Sequence, residues 1–135
     1  NDPLISKEHI FAFDWASKKE IEKIEKNLLR MNDFMIGIFR GVGIKLVDFK
    51  VEFGRLKNSS RNEVILADEI SPDTCRLWDM KSEKKLDKDR FRQNLGNLID
   101  AYQDVARRLG ILHENSNIRP LKFPKPKAVK IKRNK

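Results

Sequence analysis

The stretch from Val47 to Arg76 constrains the fold of this chain more than any other segment. Its first half, VDFKVEFG, alternates apolar and charged residues. Because successive side chains of a β-strand point to opposite faces, the pattern predicts a strand with one apolar and one charged face. The apolar face holds Val47, Phe49, Val51 and Phe53, and the charged face holds Asp48, Lys50 and Glu52.

A second predicted strand, the apolar run 64–67, follows a break that contains Gly54 and the turn-forming residues 58–60. Two apolar runs joined in this way are typical of an antiparallel β-hairpin. The second run ends in Asp68 and Glu69, so pairing would bring these carboxylates toward the charged face of the first strand. Crowded carboxylates repel each other unless a cation lies among them. Oxygen ligands without histidine or cysteine favour Mg²⁺ over zinc.

Two segments have the periodicity of long amphipathic α-helices. The first, Ser17 to Arg40, opens with Ser17 and Glu20 at the spacing of a capping box. The second, Asp87 to Leu109, has Asp87 as its expected N-cap and an apolar stripe that begins at Phe91. Gly96 lies inside this helix, where glycine costs about 1 kcal/mol relative to alanine, so we expect it to pack closely against another backbone. Helices and hairpin together predict an α+β fold, with an antiparallel sheet packed against two long helices.

Three basic residues near this sheet have more than one interpretation. Arg76 follows a strand that bears carboxylates, and loops in that position often contact substrates. The residues alone nevertheless favour a surface ion pair for Arg76. Lys88 and Arg92 share one face near the start of the second helix, where the helix dipole is positive. A bound anion and a solvated face explain this pair of cations equally well.

The positive charge of the chain is concentrated at its C-terminal end. The net charge is +9, but residues 119–135 hold eight Lys/Arg and no acidic residue, which leaves 21 basic against 20 acidic residues in 1–118. We therefore expect a folded part, 1–112, followed by a basic Pro/Lys-rich tail, 113–135. The tail makes a basic nucleic-acid-binding module the alternative function. A nearly neutral body and the lack of an aromatic stacking platform count against it.

The cysteine content and the length of the apolar runs indicate the cellular compartment of the protein. The single cysteine, Cys75, excludes an internal disulfide and is consistent with a reducing cytosol. No apolar run approaches the length that spans a membrane, so no membrane association is expected. These features favour a cytoplasmic protein.

Five blocks of the sequence, in order along the chain, resemble the SAICAR synthetase family (phosphoribosylaminoimidazole-succinocarboxamide synthases) of de novo purine biosynthesis. The blocks are Asp2-Pro3-Leu4, VDFKVEFG (47–54), ADEISPDTCRLWD (67–79), KLDKDRFRQNLG (85–96) and AYQDVARRLGI (101–111). The resemblance implies that residues 1–112 are the C-terminal, substrate- and Mg·ATP-binding portion of the enzyme. The family's N-terminal lobe, with its nucleotide loop and a lysine that contacts ATP phosphates, is expected to lie outside this chain.

The resemblance also implies an activity. Members of the family are ATP-dependent carbon–nitrogen ligases that join the imidazole carboxylate of CAIR to the amine of L-aspartate, giving SAICAR, ADP and phosphate. The carboxylate is first activated as an acyl phosphate, and the amine then displaces phosphate. The implied cofactor is Mg²⁺, ATP is a co-substrate, and the expected partners are CAIR, L-aspartate, the N-terminal lobe and further copies in a homo-oligomer. Nucleic acid and membrane are not expected partners.

Site residues follow from the same resemblance, residue by residue. Glu52 and Asp68 match the metal-binding carboxylates, and Asp48 is expected to assist them directly or through water. Lys50 and Asp73 are the expected catalytic residues. The expected substrate-binding residues are Asp2, Ser71, Arg76, Lys88 and Arg92, with Asp2 near the reacting amine and Arg76 on the phosphate of CAIR.

Overall fold

The structure is a computed structural model that describes residues 3–57 and 63–112. Asp2, the turn expected at 58–60 and the basic tail lie outside the described residues. No helix in the described part of the chain is long and apolar enough to cross a membrane. In chain order the elements are α1 (Lys7–Ala12), α2 (Lys18–Gly41), β1 (Ile44–Phe49), β2 (Phe53–Arg55), β3 (Val64–Leu66), β4 (Cys75–Asp79), α3 (Asp89–Arg92) and α4 (Leu98–Arg108).

The described strands form two antiparallel pairs. β1 pairs with β4, and the register shifts between Leu46 and Asp48. β2 pairs with β3, with Phe53 opposite Leu66, which confirms the antiparallel pairing of the two predicted strands at this point. The prediction of one continuous strand from Val47 to Phe53 is wrong, because the first part of that segment belongs to β1, which pairs with β4.

The backbone changes its hydrogen-bonding partner between Lys50 and Glu52. The amide N–H of Lys50 donates to the carbonyl of Thr74 at 2.7 Å, on the β4 side. Two residues later, the carbonyl of Glu52 accepts from the N–H of Ala67 at 2.9 Å, on the β3 side. Alternation of side chains reports only which face each residue takes, so it could not reveal that the strand exchanges one partner for another.

The helix expected from Ser17 is confirmed. Ser17 is the N-cap of α2, and its N–H donates to the Glu20 carboxylate at 2.7 Å while the Glu20 N–H donates to the Ser17 hydroxyl at 3.3 Å. The buried face of α2 packs on the β1–β4 pair, and α4 contributes to the same core. The buried apolar residues are Met35, Phe39, Ile44, Cys75, Leu77, Leu86, Ala101 and Val105.

The prediction of one long helix from Asp87 to Leu109 is wrong, because α3 and α4 are separate helices. Asn94, Gly96 and Asn97 between them have positive φ angles of 53°, 67° and 51°. Within the described residues, and apart from its two chain neighbours, nothing lies within 4 Å of a Cβ built at Gly96, so close backbone packing there does not explain this glycine. Its left-handed backbone does, because glycine adopts that conformation without steric cost. As a consequence Phe91, at the start of the expected buried stripe, is exposed.

Two buried charged side chains stabilise this interrupted region. The Arg90 guanidinium donates to the carbonyls of Lys85, Leu95 and Gly96 at 2.9–3.2 Å. Asp87 is 1% exposed and accepts hydrogen bonds from the N–H groups of Leu77 at 2.7 Å and Asp89 at 2.8 Å. Asp87 is therefore not the helix N-cap, a position that Lys88 takes without a side-chain hydrogen bond.

Candidate functional site

A cavity of about 290 Å³ lies between the β1–β4 pair and the segment that enters α3. Its wall includes four basic side chains, which outnumber the acidic ones, so the cavity is suited to an anionic ligand. Six residues predicted as site residues line it together: Asp48, Lys50, Asp73, Arg76, Lys88 and Arg92.

Arg76 projects from β4 directly across the ladder from Asp48 on β1. Its Nε donates to Asp48 Oδ1 at 2.9 Å, and Nη2 pairs with Asp48 Oδ2, so the contact is bidentate. The hydrogen bond that Arg76 donates to Asp48 is the main cause that raises the pKa of Arg76. The ion pair expected for Arg76 is confirmed. The guanidinium keeps further N–H donors on Nη1 and Nη2, and no second partner for them lies within 3–57 and 63–112.

Asp73 lies in a tight turn that follows Ser71. The backbone N–H of Asp73 donates to the Ser71 hydroxyl at 3.2 Å, and the Ser71 N–H donates to Thr74 Oγ1 at 3.0 Å. Ser71 thus shapes the turn, and it lines a neighbouring, mainly apolar cavity of about 190 Å³ instead of the charged one. Its role in substrate binding stays a prediction.

The side chain of Asp73 is held by two residues from later in the chain. The Tyr102 hydroxyl donates to Asp73 Oδ1, and Lys88 Nζ lies 3.7 Å from Asp73 Oδ2. Burial, followed by the hydrogen bond to Asp73, raises the pKa of Tyr102 well above its ordinary value. The sequence assigned Tyr102 only to a buried stripe. Because a buried tyrosine hydroxyl usually needs a hydrogen-bond partner, Tyr102 could have been singled out from the sequence. Its partner could not have been identified in this way.

Arg92 also has a carboxylate partner beside the cavity. Its Nη1 lies 3.0 Å from Asp89 Oδ1, one turn earlier in the same short helix. Lys88 and Arg92 therefore carry ion pairs and also line a cavity suited to an anion, and anion binding by these two residues stays a prediction.

The expected metal carboxylates lie where the β2–β3 pair begins. The hydrogen bond from the Ala67 N–H to the Glu52 carbonyl brings Glu52 beside the end of β3, which Asp68 follows. Lys50 forms an ion pair with Glu52 and attracts Asp68 as well. The pKa of Asp68 is lowered, first by a hydrogen bond with the Glu69 side chain and then by the Glu69 backbone N–H.

Asp48 does not join these carboxylates. Its carboxylate is engaged by Arg76, and the described residues contain no group of three or more His, Cys, Asp or Glu that could hold a metal ion. The expected convergence of three carboxylates is therefore not found among the described residues, and the assistance of Asp48 to a metal ion, directly or through water, stays a prediction. The pair that remains, Glu52 and Asp68, still fits Mg²⁺, because this ion commonly binds one or two carboxylates and completes its shell with phosphate oxygens and water. The Lys50 ammonium, which pairs with Glu52 and attracts Asp68, indicates that the position favours positive charge.

A larger open groove, of about 750 Å³, lies between the start of α2 and the β2–β3 pair, and no predicted site residue lines it. Across it, Arg55 Nε donates to Glu20 Oε1 at 2.6 Å, and Arg55 Nη2 donates to the carbonyl of Trp15 at 2.9 Å. The hydrogen bond from Arg55 is the largest cause that lowers the pKa of Glu20 to about 2. This contact ties the strand pair next to Glu52 and Asp68 to the first turn of α2.

The sequence profile described as SAICAR synthetase matches residues 1–109. The chain belongs to the SAICAR synthetase family. It is 69% identical over 129 residues to the phosphoribosylaminoimidazole-succinocarboxamide synthase of Pelagibacter ubique (strain HTCC1062), a match that covers 96% of this chain and 50% of that protein. The chain thus spans about half the length of the curated relatives it matches.

Solved SAICAR synthetases share the fold. The crystal structure of the enzyme from Ehrlichia chaffeensis superposes with a TM-score of 0.80 at 52% identity, over 83% of this chain and 47% of that one. A SAICAR synthetase in complex with ADP superposes with a TM-score of 0.73 at 46% identity, over 80% of this chain and 45% of that one. These similarities confirm the α+β fold class that the sequence predicts.

Proposed function

We propose that this chain is the CAIR- and Mg·ATP-binding portion of an ATP-dependent ligase that joins CAIR and L-aspartate to form SAICAR, ADP and phosphate. The observation that carries the proposal is the cavity in which six predicted site residues, four of them basic, meet in a chain of this family. The names of the relatives and the ADP complex of a similar synthetase support the substrates and the use of ATP.

The substrate CAIR carries a phosphate and a carboxylate, so its site must offer fixed cations. Arg76 is our assignment for the phosphate, because a guanidinium can donate two parallel hydrogen bonds to an oxyanion. Asp48 holds the Nε side of that guanidinium and thereby orients the remaining donors. Lys88 and Arg92 line the same cavity and supply further positive charge.

Glu52 and Asp68 are our assignment for the Mg²⁺ ligands, with phosphate oxygens of ATP and water completing the shell. An ion held by these two residues would neutralise negative charge on the transferred phosphoryl group. Lys50 bridges this position and the cavity, since it is paired with Glu52 and also lines the cavity wall. We propose that Lys50 stabilises the negative charge that develops where the carboxylate of CAIR attacks the γ-phosphate.

The reaction proceeds by two displacements. A carboxylate oxygen of CAIR forms a bond to the γ-phosphorus while the bond to ADP breaks. The amine of L-aspartate then bonds to the acyl carbon, phosphate departs, and the nitrogen loses a proton. The Asp73 carboxylate at the cavity wall can accept hydrogen bonds from this amine. We propose Asp2 and Ser71 as further substrate contacts. We also propose that the enzyme acts in the cytoplasm and forms a homo-oligomer.

The metal ligands provide the test. The complete enzyme, here meaning this chain joined to the half of the Pelagibacter ubique relative that it does not cover, is assayed for SAICAR formation from CAIR, L-aspartate and Mg·ATP. Glu52→Gln and Asp68→Asn remove charge with little change of shape, so each should abolish activity and leave the fold intact. Glu22→Gln is the control, because Glu22 is an exposed residue of α2 whose contact with Lys18 is 4.0 Å long.

Wild-type turnover in either variant at ordinary Mg²⁺ concentration would refute the metal assignment. Absence of SAICAR formation by the unaltered complete enzyme would refute the proposed function. Oligonucleotide binding with a steep dependence on salt, and no binding of Mg·ATP, would point to the basic tail as the functional segment.

A further inference from the structure

Tyr102 connects the core of the protein to the charged cavity. Its ring lies on α4 between the buried residues Ala101 and Val105, and it lines the apolar cavity together with Phe39 and Pro72. Its hydroxyl leaves this apolar surface and donates to the carboxylate of Asp73, 29 positions earlier in the sequence. One side chain therefore has an apolar anchor at one end and a charged partner at the other.

The orientation of the Asp73 carboxylate depends mainly on the Tyr102 hydroxyl, because the other contacts fix the backbone of the turn or are exposed. The backbone of the turn is fixed by hydrogen bonds with Ser71 and by the donation from the Lys88 N–H to the Pro72 carbonyl at 3.1 Å. The carboxylate itself has an ion pair with Lys88 at 3.7 Å, and both of these side chains are more than 40% exposed. Ion pairs this exposed constrain geometry weakly. A hydrogen bond from a half-buried phenol, whose ring is fixed by packing, constrains it much more.

We propose that Tyr102 is a positioning residue for the ligase reaction: its hydroxyl fixes the carboxylate of Asp73 in the orientation that receives the amine of L-aspartate. The inference rests on the proposed function and deepens it, because the family resemblance assigned no role to Tyr102. Tyr102 does not line the charged cavity and touches neither substrate nor metal in this role. It acts through Asp73, and through that carboxylate it couples the packing of α4 to the cavity.

The experiment is Tyr102→Phe in the complete enzyme, which removes the hydroxyl and keeps the packed ring. Initial rates are measured with each substrate varied in turn. We expect kcat/KM for L-aspartate to fall by about tenfold, since a hydrogen bond to a charged group is lost. The KM for Mg·ATP should stay within about twofold and the thermal midpoint within about 2 °C, because the core is unchanged.

A double-mutant cycle with Asp73→Asn separates positioning from a structural role. If the hydroxyl acts through the carboxylate, Tyr102→Phe should have little further effect once Asp73 has been replaced. Single-turnover measurements extend the cycle to slow variants. Ser82→Ala is the matched control, because the Ser82 hydroxyl also donates to a carboxylate, that of Asp79 at 2.8 Å, and neither residue lines the charged cavity. Its kinetics should equal those of the parent.

Three results would overturn the inference. They are unchanged kinetics in Tyr102→Phe, a full effect of Tyr102→Phe that persists beside Asp73→Asn, and a uniform rise of every KM together with a fall in the thermal midpoint. A parent enzyme that forms no SAICAR would instead refute the proposed function. The two failures are therefore distinguishable in the same set of assays.

Discussion

Replacement of Arg76 by lysine tests how the cavity recognises its anionic substrate. Arg76→Lys keeps the positive charge and removes the planar fork that donates two parallel hydrogen bonds. In the structure one edge of that fork is already bound to Asp48 through Nε and Nη2. A single ammonium would be drawn to Asp48 and could not present a second pair of donors to a phosphate.

The expected magnitude follows from these contacts. Loss of a bidentate contact to a charged group costs about 1–3 kcal/mol. At about 1.4 kcal/mol per factor of ten, the KM for CAIR should rise by about 5- to 150-fold. The fold should be unaffected, because both partners of the Arg76–Asp48 pair are 50% exposed and pairs that exposed contribute little to stability.

Steady-state kinetics of the complete enzyme, with each of the three substrates varied at saturating levels of the others, measures the effect. Arg107→Lys is the control, because Arg107 is an exposed residue of α4 that contacts Gln103 at 3.0 Å. The KM for CAIR should rise more than the KM for ATP in Arg76→Lys and should not change in Arg107→Lys. If only the KM for ATP rises, Arg76 faces the nucleotide and the assignment of the phosphate is refuted.

Three further predictions concern the tail, the acid stability and the core. Truncation after Leu112 should leave SAICAR formation close to that of the parent, since the tail carries no family motif; a large loss in a folded protein would contradict this. The lowered pKa of Glu20, about 2 against an ordinary 4.5, means that its ionised form stabilises the fold fully above about pH 4.5 and that this contribution is lost as the pH falls toward 2. Urea unfolding at several pH values should show a shallower acid decline in Glu20→Gln, and an unchanged decline would show that the Arg55 contact is unimportant. Leu77→Ala, at a fully buried position, should lower the free energy of unfolding by about 2–5 kcal/mol in urea titrations, whereas a change below about 1 kcal/mol would place Leu77 outside the core.

Local signals in the sequence predicted the elements that depend on local interactions. The capping box of Ser17 and Glu20 and a long apolar stripe are enough to predict α2, because both act within a few residues. The break between α3 and α4 could not be predicted from the same periodicity. It depends on left-handed backbone at Asn94, Gly96 and Asn97, which three- and four-residue spacing does not encode.

The site was predicted through resemblance, and its pairings depend on contacts distant in sequence. The residues alone favoured an ion pair for Arg76 but could not identify Asp48, 28 residues earlier, because that contact depends on the register of β1 with β4. The same register explains why the Asp48 carboxylate meets the Arg76 guanidinium. The contact between Tyr102 and Asp73 depends on the packing of α4, which no local pattern specifies.

The backbone pairs with the β4 side at Lys50 and with the β3 side at Glu52, and this change limits the length of the segment between them. Lys50 is fixed to the β4 side, Glu52 is fixed to the β3 side, and Val51 alone lies between them. Because side chains alternate along an extended backbone, one inserted or deleted residue would turn Lys50 and Glu52 to opposite sides and break the ion pair. Surface loops of a family commonly vary in length. At Val51, in contrast, the number of residues sets the spacing between the charged cavity and the carboxylates that we propose as metal ligands. Insertions and deletions should therefore be absent there among active members of the family.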